Sequence, residues 1–199
     1  MTVHTVLELG DPRLRRIAKE VPNEAFGGDA LRQLVSDLID TMRDRKGAGI
    51  AAPQIGVDQR VFVVEVGDNP RYPYKPRIPL TVLINPVMTV IGDERISVIE
   101  GCLSVPNLRG RVRRAARVEL RAFDIEGRAF TIRAEGLSAG TMQHELDHLD
   151  GRLFVDHVTD PTTMTTWANY DAHQAAEFSE QAAAINRRYP EPLSITSEP

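Results

Sequence analysis

Gln143-His144-Glu145-Leu146-Asp147-His148 constrains this 199-residue chain more than any other stretch. On a helix, residues four apart stand one above the other on the same face. His144 and His148 can therefore share one metal ion if the segment is helical, with Glu145 beside the open coordination position. That pattern fits metal-assisted hydrolysis, in which the glutamate moves protons for a bound water. The fold must then be built around a helix that carries ligand-bearing side chains.

The other elements can be read from period and punctuation. From Asp29, the apolar residues Leu31, Leu34, Val35, Leu38, Ile39 and Met42 recur at helical spacing. They predict a one-sided helix of about four turns that ends before Gly47. A short strand is expected at Val3 to Leu7. Further strands are expected at Val61 to Val66, Thr81 to Ile84, Val87 to Ile91 and Arg95 to Ile99. Val112 to Phe123 alternates and pairs with Phe130 to Ala134 across a turn at Asp124, Glu126 and Gly127. Ser138 is positioned to cap the motif helix, and Gly151 to stop it. Asp160-Pro161 starts a last helix running to Arg188, on which Trp167, Tyr170 and Phe178 read as packing residues. The expected class is α+β, with antiparallel β-sheets packed around the central motif helix and with an N-terminal and a C-terminal helix. Residues 1–188 read as one domain, and residues 189–199 as a flexible tail.

Composition narrows the partners. The net charge is -4 and the pI about 5.8, so no basic field argues for a nucleic-acid site. Lysine occurs only at 19, 46 and 75, a skew towards arginine that reads as genome composition. No apolar run is long enough to span a membrane and the first residues lack a signal core, so a cytoplasmic location is expected. The single cysteine, Cys102, excludes an internal disulfide.

A catalytic site of this type takes three protein ligands and leaves a position open. One peptidase class finds its third ligand in His-Glu-x-x-His-x-x-Gly-x-x-His. This chain keeps the glycine as Gly151 but has Phe154 at the expected histidine. A downstream carboxylate, Glu177 or Glu180, is a second option. Cys102, in Glu100-Gly101-Cys102-Leu103-Ser104, is a third.

Three segments in this order resemble the signatures of peptide deformylases. They are Gly47-Ala48-Gly49-Ile50-Ala51-Ala52-Pro53-Gln54, Glu100-Gly101-Cys102-Leu103-Ser104 and Gln143-His144-Glu145-Leu146-Asp147-His148, and the resemblance covers roughly residues 1 to 158. It implies that Cys102, His144 and His148 are the metal ligands and Glu145 the catalytic acid/base. It implies that the Gln54 amide and the Leu103 backbone N–H meet the negative charge on the attacked formyl oxygen. Gly47, Ala48, Gly49 and Gly101 would border the peptide, and Arg109 would lie near it. Ala48, Leu137 and Gly140 line up with positions that hold the methionine side chain. Glu100 is expected to be a buried carboxylate paired with Arg114. The implied reaction removes the formyl group from the formyl-methionine end of nascent polypeptides. The implied metal is Fe(II), and one thiolate with two imidazoles also suits Zn(II), Ni(II) or Co(II).

Two regions depart from the commonest bacterial pattern. The loop Gly67 to Pro79 is longer and richer in proline, with Tyr72 and Tyr74. The segment after Asp156 lacks the basic terminal helix through which some relatives dock on the ribosome. Three rival readings stay in view: a zinc endopeptidase using a downstream Glu, a degenerate binder of peptide N-termini, and a deformylase for a special formylated substrate.

Overall fold

The computed structural model describes residues 2–69 and 71–197. Helix α1 spans Asp29–Asp44 and the motif helix α2 spans Gly136–Leu149. Between them run β1 (Gly49–Ala51), β2 (Val61–Val66), β3 (Ile78–Val90), β4 (Arg95–Cys102), β5 (Val105–Ala115), β6 (Arg117–Phe123) and β7 (Ala129–Glu135). After α2 come β8 (Thr165–Thr166), α3 (Trp167–His173), α4 (Ala175–Arg188) and β9 (Leu193–Ser197). Six strands form an antiparallel sheet in the order β1-β2-β3-β6-β7-β9, and three form a second in the order β4-β5-β8. The α+β class expected from the sequence is the one observed.

The large sheet is covered on both faces. Leu31, Leu34, Val35, Leu38 and Met42 of α1 cluster with Ile50, Val61, Val63 and Ile84. On the other face, Phe62, Val64, Leu120 and Ile132 cluster with Met142, Leu146 and Leu149 of α2. Val61-Phe62-Val63-Val64 is buried throughout, which is why this strand reads as an unbroken apolar run. The small sheet covers the opposite side of α2, together with α4, through Ile96, Val98, Val112, Leu137 and Phe178. All of α2 except His144 and Asp147 is buried. Gln143 fastens it to β5 by donating to Ala115 O at 3.0 Å and accepting from Ala115 N at 3.0 Å.

Several sequence expectations need correction. Val112 to Phe123 is two strands in different sheets. Arg114, Ala115 and Ala116 are buried in succession, so the alternation slips by one residue and the chain crosses between sheets. The segments at 81–84 and 87–91 fuse into β3, with a register shift between Ile84 and Val87. Val3 to Leu7 forms no strand, although Leu7 N–H donates to Gln54 O at 2.8 Å. Ser138 lies inside α2, two residues past its start, and caps nothing. The long last helix expected from Asp160-Pro161 to Arg188 begins only at Trp167, after a short 3-10 turn at Pro161–Thr163 and β8, and is broken at Gln174 into α3 and α4. Residues 193–197 of the expected tail form β9, which takes the open edge of β7 and pairs Ile195 with Ile132. Tyr189 before it is 2% exposed.

Candidate active site

β4 ends at Cys102, where its register against β5 shifts. The shift leaves Cys102 Sγ 3.2 Å from His148 Nε2. Ligand atoms of Cys102, His144 and His148 all lie within 4.8 Å of one another, so the three can hold one ion. The sulfur meets two donors, Ser104 N–H at 3.3 Å and the Gln54 side-chain amide at 3.6 Å. His144 Nδ1 lies 2.8 Å from Glu100 Oε2, which leaves Nε2 for a metal. Phe154, in place of a third histidine, stacks on the His144 ring at 6.4 Å. Glu177 and Glu180 are exposed on α4 and belong to no such cluster among the described residues.

Arg114 holds the outer wall of the site. It grips Glu100 with two hydrogen bonds of 2.8 and 2.9 Å and donates to Asp147 at 2.7 Å. Burial alone would raise the Glu100 carboxyl, yet Arg114 and His144 hold it well below the usual carboxylate range.

Glu145 is 4% exposed, and its Oε2 has no hydrogen-bond partner. Burial pushes its carboxyl up to about 7, helped by Glu100 and Asp147 and opposed by His144 and Lys75. A carboxyl poised near neutrality can accept and return a proton. Gly49 makes room for it: a Cβ there would stand 2.4 Å from Glu145 Oε1. Gln54 is fixed at both ends of its amide, accepting from Ala51 N–H at 2.8 Å and donating to Ser104 Oγ at 3.1 Å.

One pocket gathers the residues singled out from the sequence, apart from His148. Gln54, Cys102, Leu103, His144 and Glu145 line it, with Gly47, Ala48, Gly49 and Gly101 along its border. Arg109, Leu137 and Gly140 line it as well. Sequence reasoning missed Thr141, Lys75 and the wall made by Tyr72 and Tyr74 of the proline-rich loop. It read Phe178 as packing alone, whereas this ring packs in the core and also lines the pocket. The signal was the run Tyr72-Pro73-Tyr74-Lys75-Pro76, too apolar and too stiffened by proline for a solvated loop.

A helix-borne His-Glu-x-x-His pair, a strand-end cysteine and a buried glutamate together define a hydrolase site able to hold one metal ion. The comparisons with known proteins make this specific. Residues 3–164 match the family described as polypeptide deformylase. The chain is 46% identical over 161 residues to peptide deformylase 1 of Prochlorococcus marinus, covering 80% of this chain and 83% of that protein. It is 43% identical to peptide deformylase 1 of Bordetella pertussis, covering 80% and 90%. Among solved structures it resembles the Met-Ala-Ser-bound class I type b peptide deformylase of Acinetobacter baumannii. That match has a TM-score of 0.77 and 38% identity, and covers 79% of this chain and 99% of that one. A peptide deformylase of Legionella pneumophila covers 94% of this chain and 99% of its own at a TM-score of 0.71 and 35% identity. The chain belongs to the polypeptide deformylase family.

Proposed function

We propose that this site removes the formyl group from the formyl-methionine end of new polypeptides, releasing formate and a free amine. The observation that carries the reading is the convergence of Cys102, His144 and His148 within 4.8 Å beside the buried carboxylate of Glu145. One sulfur and two imidazoles suit Fe(II), Zn(II), Ni(II) or Co(II), and Fe(II) is our assignment in the cell. When bound, the metal supplies Lewis-acid polarisation and lowers the pKa of water from ~15.7 towards ~7.

The chain's own residues do the rest. Glu145 takes the proton from the attacking water and returns it to the amine nitrogen as the amide bond breaks. The Gln54 amide and the Leu103 N–H face the formyl oxygen as it gains negative charge. Among the described residues β1 is an edge strand, paired only with β2, so an extended peptide can add along Gly47, Ala48 and Gly49. Such backbone pairing accepts many sequences, as suits an enzyme of nascent chains. Gly101 borders the peptide on the opposite side, and Ala48, Leu137 and Gly140 surround its first side chain, with Arg109 beyond. No helix among the described residues is long and apolar enough to cross a membrane, and we place the enzyme in the cytoplasm. α4 exposes Glu177 and Glu180 as well as Arg187 and Arg188, so it offers no basic face for docking on the ribosome.

The test pairs activity with metal retention. Formate release from formyl-Met-Ala-Ser should require Cys102, and Cys102→Ala should lose the metal. A metal retained in Cys102→Ala would instead favour the endopeptidase.

A further inference from the structure

Two cations line the pocket that would receive the first side chain. Lys75 Nζ donates to Thr141 Oγ1 at 2.9 Å and stands 5.0 Å from the centre of the Tyr72 ring. An ammonium carries three donors, and Thr141 takes one. Arg109 is 0% exposed, and its Nη2 donates to the Tyr74 hydroxyl at 2.7 Å. Its guanidinium lies 4.2 Å from the Trp167 ring centre and 4.1 Å from that of Tyr170, while Nε and Nη1 have no hydrogen-bond partner among the described residues.

Neither cation has a carboxylate within ion-pair distance among the described residues. Glu100 acts on Lys75 at longer range but is held by Arg114 and His144, and Glu145 faces the reaction. A charge without a counter-group is costly where it is buried, as Arg109 is, and half-buried Lys75 beside it has donors to spare. A methionine thioether is a weak acceptor and completes little. Ala48 and Gly140 leave the space, and Lys75 fills part of it with a charged end.

We propose that this pocket selects a first side chain that ends in an oxygen acceptor, and that Lys75 is the residue that reads it. The proposal rests on the deformylase reading above and adds a preference to it: formyl-methionine is still turned over, and an acceptor-ended first residue is turned over faster. Two side chains of about methionine's length carry such an oxygen: methionine sulfoxide, which is neutral and dipolar, and glutamate, which is anionic. Lys75 supplies the hydrogen bond, while Arg109 adds positive potential from the pocket wall.

The test uses the metal-loaded full chain and formate release from four peptides. Their first residues are formyl-methionine, its sulfoxide, formyl-glutamate and formyl-norleucine, each followed by Ala-Ser. A charge-assisted hydrogen bond predicts kcat/KM about 10- to 100-fold higher for the better acceptor-ended peptide than for norleucine. Lys75→Met should bring that ratio close to one, and Lys75→Arg should keep most of it. The faster of the sulfoxide and glutamate peptides assigns the acceptor as neutral or anionic. Norleucine turned over as fast as both acceptor-ended peptides overturns the inference and leaves the deformylase reading standing. No formate from any of the four overturns both. Should Lys75→Met fail to hold metal, the ratio in the unaltered protein decides.

Discussion

Glu100 Oε2 lies 2.8 Å from Nδ1 of His144, and the same carboxylate is gripped twice by Arg114. A strand thereby orients an imidazole that a helix carries. Glu100→Gln keeps the shape but weakens the hold on the imidazole, and should lower metal affinity about 10- to 100-fold. Competition with a chelator measures this. Arg114→Met strips Glu100 of two hydrogen bonds and Asp147 of one, leaving these half-buried carboxylates to His144 and His157 alone, and should cost about 3 kcal/mol in denaturant unfolding.

Gly49 and Glu145 compete for one space. In Gly49→Ala the new Cβ would meet Glu145 Oε1 at 2.4 Å, so the carboxylate must move. The variant should keep its metal and lose about 10²–10⁴ in kcat, the range of a displaced proton carrier. Metal content beside formate release separates this outcome from misfolding.

Gln54→Leu removes an amide anchored on Ala51 and Ser104. The expected loss is about 10²–10³ in kcat with little change in KM, because the interaction strengthens only as the oxyanion forms. A rise in KM alone would assign Gln54 to ground-state binding.

Lys75 predicts a pH dependence of stability. Partial burial lowers its ammonium from 10.5 to about 8, against the pull of Glu100 and Glu145 and with the push of Arg109; Thr141 and Tyr72 also pack around it. The folded state thus binds its proton less tightly than the unfolded chain. Stability from this group rises with pH between about 8 and 10.5, and the full penalty stands below 8. Lys75→Met should stabilise the protein at pH 7 by on the order of 2 kcal/mol, with the gain shrinking towards pH 10.5. Thermal or denaturant unfolding at several pH values measures it.

Much of this was legible in the chain, for identifiable reasons. α1 carries a one-sided stripe with clear stops, and β2 and β7 lie within a residue of where period and turn residues put them. The three motifs converge because each sits at the end or on the face of a regular element. The crossing at Ala116 was hidden because a slip in alternation looks like a continuing strand. β9 was hidden because short edge strands beside prolines resemble tails, and only pairing with β7 reveals Leu193-Ser194-Ile195. Lys75 and the aromatic surround of Arg109 escaped because they join a loop, a strand, the motif helix α2 and the later helix α3. No local pattern records such contacts between distant segments.

The most direct test of the central claim is formate release from formyl-Met-Ala-Ser by protein purified without oxygen and loaded with Fe(II) or Ni(II), compared with Glu145→Ala carrying the same metal. The account predicts formate from the first and a loss of about 10²–10⁴ in the second, with no cleavage of unformylated peptide. No formate from fully metallated protein, or equal rates in the two, would contradict it.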